Sequence, residues 1–325
     1  MLQLQERVLY LPFTTTDVKR MDTGKIFDVI IVGGSYAGLS AAMALGRSLR
    51  RVLVIDSGLP CNRQTPYSHN FLTQDGKPPA AINALAIQQV QAYATVSFEN
   101  DLAVSGIKTT LGFAITTASG KTFAARKLIF ATGVKDLQPG INGFAACWGI
   151  TVIHCPYCHG YEFRGKATGI LANGERAFHL ATLVKNLSPA VTVLTAGANT
   201  FTPGQLEALV KNNIPVIEVP VDTIEHDNGH ISAVVLKDGQ RLHVDALYAS
   251  LPFAQHCDIP EAIGCALTEQ GYIQVDAMCQ TTVPGIFACG DNTAMLRSVA
   301  NAVFSGNLTG AVVNRELATE SFWAG

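Results

Sequence analysis

The most constraining stretch of this chain runs from Phe27 to Asp56. Phe27-Asp28-Val29-Ile30-Ile31-Val32 is a short, mostly apolar run of the kind buried in a parallel sheet. It opens into Gly33-Gly34-Ser35-Tyr36-Ala37-Gly38, an apolar helix through Leu49, and a second strand over residues 52–55 that ends in Asp56. Strand, glycine turn, helix, strand and acid, in that order, make a βαβ unit with dinucleotide-binding signals. Gly33 permits the tight turn, small Ser35 lets a pyrophosphate approach the backbone, and Gly38 permits close packing of helix on sheet. The helix N-terminus adds unpaired N–H donors and positive potential. Asp56 lies 23 positions after Gly33, the right distance for a carboxylate that accepts from ribose hydroxyls. The middle glycine of the strict fingerprint is absent. A bare tight turn and a solvated strand-end acid therefore remain the plainer alternative for this segment taken alone.

The rhythm recurs further on. A helix is expected over 79–96 and antiparallel strands over 109–130, where Leu128-Ile129-Phe130 runs into Ala131-Thr132-Gly133. Pro139-Gly140 and Asn142-Gly143 mark a crossing to a second domain. There a strand at 167–171 leads to Gly174, a helix to about 187 and a strand at 191–194. Runs at 216–219, 231–236 and 244–248 should complete one small sheet, with turns at Asp227-Asn228-Gly229 and Lys237-Asp238-Gly239. After Gly271 come a short strand at 286–288, Gly290-Asp291, and a final helix over 294–318.

Composition narrows the function classes. Lys and Arg total 23 against 25 Asp and Glu, a net charge of -2, which gives no electrostatic case for binding nucleic acid. No apolar run approaches the roughly 18 residues that span a bilayer, so no membrane partner is expected. No secretory signal is read at the N-terminus, and residues 1–26 stand as an extension before the first strand. With 15% of residues charged, the chain has either a large core or an oligomer interface. The aromatic tail Phe322-Trp323 favours a homodimer seam, with a flavin or groove cap as the alternative.

Eight cysteines are too few and too scattered for a disulfide scaffold, and a cytoplasmic protein with one reactive pair fits best. Cys155 and Cys158 stand apart in His154-Cys155-Pro156-Tyr157-Cys158-His159-Gly160. Two intervening residues permit a disulfide-bridged turn, and helical N–H groups at Cys155 would stabilise a thiolate. Either flanking histidine can exchange protons with a departing thiol. Half a zinc site would need a second well-spaced pair, which is missing, so no metal is expected. Two inert core cysteines are the bland alternative.

At these residues the chain closely resembles the low-molecular-weight thioredoxin reductase family. The resemblance runs from about Phe27 to Asn314 and is carried by several motifs in order. These are the 33–38 turn, Ala131-Thr132-Gly133, Cys155-Pro156-Tyr157-Cys158 with Gly160, Arg164-Gly165-Lys166, Ala288-Cys289-Gly290-Asp291, and the stretch of Arg297, Ala300 and Ala302. It implies an α/β fold of two Rossmann-like dinucleotide-binding domains, the second inserted into the first. Residues 27–140 and 270–325 would build the FAD domain and 141–269 an NAD(P)-like domain carrying the cysteine pair. It also implies FAD as cofactor, with adenosine near Asp56, Asp291 at the ribityl–pyrophosphate region, and the helix beginning at Arg297, Ser298 and Val299 beside the flavin. Asn70 would hydrogen-bond the cofactor and His69 would line the dithiol path, or each merely anchors its loop. Cys158 would face the isoalloxazine and Cys155 the external disulfide. Family members carry aspartate after the second cysteine, where this chain has His159, the implied proton carrier unless it only hydrogen-bonds within the turn.

The second βαβ turn departs from the family's Gly-x-Gly-x-x-Ala or Gly. Here it reads Ala172-Asn173-Gly174-Glu175-Arg176-Ala177, with a Cβ at the tightest point and a negative charge at the helix N-terminus. The next strand is followed by Leu194-Thr195-Ala196-Gly197-Ala198-Asn199-Thr200, without the arginines expected for an NADPH 2′-phosphate. Losing two charged phosphate contacts weakens binding roughly 100- to 10,000-fold. The expectation is an FAD-dependent dithiol/disulfide oxidoreductase without efficient NADPH use. Its substrate would be a small dithiol or a thioredoxin-like protein, with oxygen or a redox protein as electron partner. The alternatives are an NADPH-dependent thioredoxin-disulfide reductase and a redox-sensing FAD-binding interaction protein.

Overall fold

The structure, a computed structural model, describes residues 26–324. Apart from Ile26, the expected N-terminal extension lies outside the described residues. The first stretch runs β1 (Phe27–Val32), α1 (Tyr36–Arg47), β2 (Val52–Asp56), α2 (Pro79–Gln91), β3 (Val96–Asn100), β4 (Ala103–Thr109), β5 (Gly112–Thr117) and β6 (Thr122–Phe130). Strand β7 (Val134–Asp136) leads into α3 (Phe144–Cys147), β8 (Val152–Ile153), α4 (Pro156–His159), β9 (Thr168–Leu171), α5 (Gly174–Lys185), β10 (Val191–Leu194) and α6 (Pro203–Lys211). Then come β11 (Val216–Ile217), β12 (Val221–Asp227), β13 (His230–Leu236), β14 (Arg241–Leu242) and β15 (Ala246–Ala249). The chain returns through β16 (Phe253–Gln255) and α7 (Ile259–Ala262) to β17 (Ile286–Ala288) and the long α8 (Val299–Ala324).

The fold is α/β, with two Rossmann-like units, the second inserted into the first. Strands β3, β2, β1 and β6 line up in parallel, β5 and β4 continue antiparallel, and β17 comes back from far along the chain to pair with β6. Val29, Ile30 and Ile31 are wholly buried because both faces of β1 are covered, which is why the strand reads as an unbroken apolar run. On one face α1 and α8 cross at close range. A Cβ on Gly306 would lie 2.1 Å from the Ala37 carbonyl oxygen, and one on Gly310 would lie 2.8 Å from that of Ala41. This contact carries the start of α8 to the glycine turn after β1.

The second unit is a five-stranded parallel sheet in the order β11-β10-β9-β15-β8, with its own core around Ile170, Ala181, Val193 and Tyr248. The single small sheet expected from the sequence is divided in two, because β12, β13 and β14 form a separate antiparallel sheet while β15 joins the parallel one. Other boundaries move as well. The helix expected to reach Leu49 stops at Arg47, and Leu49 takes a left-handed φ of 57°. The helix expected over 79–96 stops at Gln91, and Val96 opens β3 because it pairs with Val52 at the sheet edge. The last helix starts at Val299, later than expected, and runs on to Ala324. The two units are joined by an antiparallel ribbon of β7 on β16. Among the described residues no helix is long and apolar enough to cross a membrane.

Candidate active site

A cavity of about 620 Å³ runs along the ends of β1, β2 and β6, within the range of cofactor pockets. Gly33 has φ 104°, and a Cβ there would sit 2.3 Å from the Ala131 carbonyl oxygen, so only glycine lets the two strand ends close up. Gly34 donates its N–H to Asp56 Oδ1 at 2.9 Å, and Gly58 donates to Oδ2 at 3.1 Å, which fixes the acid at the cavity wall. Ser35 is the N-cap of α1 and makes no capping bond with its side chain, so the first-turn donors of α1 stay free. Gly38 does not line the cavity. It sits behind, where a Cβ would lie 1.9 Å from the Gly33 carbonyl oxygen.

Ser35, Tyr36 and Ala37 line the cavity, as do Asn70, Ala131, Thr132, Gly133, Gly290, Asp291, Arg297, Ser298 and Val299. Asn70 is exposed, has φ 59°, and has its backbone N–H held by Asp75 at 2.7 Å. Ser298 caps α8, its Oγ accepting from the Asn301 N–H at 3.1 Å. The enclosed Asp291 carboxyl is pushed up to about 6 by burial, against the opposing pull of Arg297. Arg297 donates to both oxygens of Asp136, at 2.7 and 3.0 Å, and its Nε lies 3.7 Å from Asp291. Cys61, exposed to solvent, opens onto the same cavity, where desolvation and the nearby Asp291 carboxylate raise its thiol.

The cysteine segment reaches the far end of this cavity. Cys155 is the N-cap of α4 with Pro156 at the first helical position, so the Cys158 and His159 N–H groups turn back toward its carbonyl. The two sulfurs are 2.7 Å apart. Cys158 lines the cavity together with His154 and His159, while Cys155 does not. The two thiols are polarised in opposite senses. The contact with Cys158, with help from the Cys158 and Tyr157 N–H groups, lowers Cys155 below the usual 9.0. The same contact and burial raise Cys158. Burial also pushes His159 down to about 4, and both its ring nitrogens are buried without a hydrogen-bond partner. His154 is lowered by burial and by Arg297, and its ring lies between those of Trp148, tilted at 6.0 Å, and His159, edge-on at 6.5 Å. His69, from the loop after β2, lies 3.6 Å from Glu162 and 3.7 Å from Asp75.

Sequence reading passed over Asp136, Asn292 and His256. Asn292 is wholly buried and donates to the Phe130 carbonyl at 2.9 Å, tying the return strand to β6, and its adjacency to Gly290-Asp291 was the available signal. Asp136 and His256 line the cavity from the two strands of the joining ribbon and its edge, and carry no local signature.

The profile of the family described as "Pyridine nucleotide-disulphide oxidoreductase" matches residues 27–306. The chain belongs to that family. Among curated relatives, "Thioredoxin reductase tcpT" of Claviceps purpurea is 34% identical over 310 residues, covering 91% of this chain and 96% of the relative. "Thioredoxin reductase aclD" of Aspergillus oryzae is 33% identical, covering 90% and 97%. Among solved structures, an oxidoreductase from Agrobacterium tumefaciens superposes with a TM-score of 0.85 at 37% identity, covering 91% of this chain and 99% of that one. This family member is therefore a thioredoxin-reductase-like flavoprotein, an oxidoreductase that acts on disulfides and binds FAD. The residues present fit that cofactor, since Gly33, Gly34 and Gly38 leave no room for a Cβ and let the backbone close up, Ser35 keeps helix donors free, and the turn opens on a cavity that reaches Cys158.

Proposed function

We propose that the protein is an FAD-dependent dithiol/disulfide oxidoreductase that works through Cys155 and Cys158 without efficient NADPH use. Oxygen or a redox protein is its second electron partner. The observation that carries this reading is the single cavity lined at one end by the glycine turn and Asp56 and at the other by Cys158, His154 and His159. Bound there, FAD supplies the two-electron centre at which the reduced pair is re-oxidised. In the oxidising direction a substrate thiolate attacks Cys155 Sγ of the bridged pair, and Cys158 leaves as a thiolate. The second substrate thiol then displaces Cys155, releasing the substrate as a disulfide and leaving the two cysteines reduced. His159, neutral over the working pH range and otherwise unpartnered, takes and returns the proton at Cys158 Sγ, with His154 behind it. Asp56 and the α1 N-terminus would hold the adenosine and pyrophosphate, and Asp291, Arg297, Ser298 and Val299 would border the flavin.

Residues 27–140 and 270–325 form the FAD domain in this reading, and 141–269 the inserted one. The division is supported by separate cores, one gathering β1, β2, β6, β17 and α8, the other β9, β10, α5 and β15. A homodimer is supported by the exposed Phe304, Phe322 and Trp323 along α8, and a cytoplasmic site by eight cysteines too few and scattered for a disulfide scaffold. NADPH independence is supported by Ala172, Glu175 and the uncharged run over 194–200. The pyridine-nucleotide family and its thioredoxin reductase relatives favour a second reading, an NADPH-dependent thioredoxin reductase.

The deciding experiment is anaerobic absorbance of the purified holoprotein after separate additions of NADPH, NADH, reduced thioredoxin and a small dithiol. A dithiol should bleach the flavin within seconds and NADPH should not, and admitted air should restore the colour. Cys158→Ser should retain FAD and lose dithiol bleaching. Rapid bleaching by NADPH would establish the second reading instead.

A further inference from the structure

We infer that Asn173 is the specificity-determining residue that closes the second dinucleotide fold to a nucleotide pyrophosphate. The inference rests on the proposed NADPH independence and gives it a physical cause.

In a βαβ unit the pyrophosphate lies over the first N–H groups of the helix, and the adenosine lies along the loop after the next strand. The helix donors and that loop, the two lips of the site, must stay open to admit it. In the first unit the turn meets the end of β2 at its base, where the Gly34 N–H donates to Asp56, while Ser35 leaves the α1 donors uncapped and the turn opens on the cavity. The second unit is closed by one side chain. Asn173 caps α5, its Oδ1 accepting from the Gly174 N–H at 2.8 Å. The same oxygen accepts from the Thr200 N–H at 2.9 Å and faces Thr200 Oγ1 at 3.2 Å, while Nδ2 donates to the Ala198 carbonyl at 2.9 Å. The amide thus bonds the turn after β9 to the loop after β10.

Steric contact and charge act in the same direction. A Cβ on Gly174 would lie 2.6 Å from Thr200 Oγ1, so turn and loop already touch where a phosphate would pass. Glu175 is held in the first turn of α5 by Gln205 at 2.6 Å, and Glu218 grips Asn199 through its backbone N–H and its side chain, at 2.9 and 2.6 Å. Two carboxylates therefore flank the closed seam.

The test uses the FAD-loaded protein, with ADP-ribose as the probe because it carries the pyrophosphate without the nicotinamide, and equilibrium titration as the readout. The unaltered protein should bind it no tighter than millimolar. Asn173→Gly, a substitution that helix caps tolerate well, should strengthen binding about tenfold or more by freeing the Gly174 donor and parting the lips. Asn173→Asp keeps the acceptor and adds charge, and should bring no gain. Thr200→Ala loosens the seam without touching the cap, should give a gain of several-fold, and serves if the glycine variant does not fold. If Asn173→Gly melts at the parent temperature with full flavin yet binds no better, Asn173 is not the determinant. The same holds for an unimproved Thr200→Ala where the glycine variant fails to fold. Tight ADP-ribose binding by the unaltered protein would also overturn the inference, whereas NADPH bleaching of its flavin would bring down the proposed function itself.

Discussion

At the scale of single residues the chemistry is carried by two sulfurs in unequal surroundings. Cys155 sits at the start of α4, where a thiol donor and two backbone N–H groups favour its thiolate, while Cys158 is enclosed and keeps its proton. In the reduced protein, alkylation should fall first on Cys155 and grow with pH from well below the usual 9.0. Cys158→Ala removes the donor and should move that profile back up. Site-resolved mass spectrometry over a pH series reads both, and prior labelling of Cys158 would reverse the assignment. His159 gives a second pH signature, of opposite origin. Burial holds its folded pKa at about 4 against 6.5 unfolded, so between those values the unfolded chain takes up a proton that the folded one refuses. Its contribution is complete above about 6.5 and lost as pH falls toward 4, a change of roughly 3 kcal/mol. Asp291, raised to about 6, works the other way, its contribution fading as pH rises through that value. The comparison is therefore variant against parent: in denaturant titrations at pH 7 and 4.5, His159→Gln should lose less stability on acidification than the parent.

At the scale of elements, the pairing of α1 with α8 sets where the cofactor turn lies. Both helices present small residues, Ala37 and Ala41 against Gly306 and Gly310, so their backbones meet at a distance no larger side chain allows. Gly306→Val forces α8 away from Ala37 and should destabilise the fold by about 3 kcal/mol or more, with loss of bound flavin. Gly204→Ala in α6 meets open space and should be neutral or slightly stabilising. Melting temperature and flavin-to-protein ratio distinguish the two. The β1-α1-β2 unit was legible in the sequence because each part is local, with an apolar run, a turn that needs glycine and an acid at a fixed interval. The limits of α2 and α8 were not legible, since Val96 becomes a strand only by pairing with Val52, and α8 is held open at its end by contacts with β6 through Lys127, Glu316 and Glu320. Strand β12 was missed for the same reason, as Asp222, Thr223 and Glu225 spell a strand only beside β13. At the site, the cysteine pair and the glycine turn announce themselves by spacing. Asn173 reads as an ordinary turn residue until the loop at 198–200 folds against it.

At the scale of the whole molecule, the cysteine unit is held over the cavity by the narrow ribbon of β7 and β16 and the groups that pin it. Gln255 donates to the Gly271 and Asn292 carbonyls at 2.9 and 3.1 Å, which anchors β16 to the first unit. On β7, Asp136 takes a two-pronged grip on Arg297, whose side chain is only 15% exposed, as is that of Asp136 at 10%. Position matters more here than the count of ion pairs. Arg241 and Glu225 form an equally direct pair on the surface, 51% and 37% exposed, where solvent and side-chain entropy cancel most of the attraction. Removing one partner of an enclosed pair leaves a desolvated charge behind, which costs about 3–5 kcal/mol, against 1 kcal/mol or less for an exposed one. Asp136→Asn should therefore lower stability by about 3 kcal/mol, speed hydrogen exchange in residues 134–136 and 253–255, and slow dithiol bleaching of the flavin. Glu225→Gln should change none of these beyond the small surface effect. Equal effects of the two substitutions would show that the ribbon, and not the Asp136/Arg297 clamp, sets where the cysteines sit.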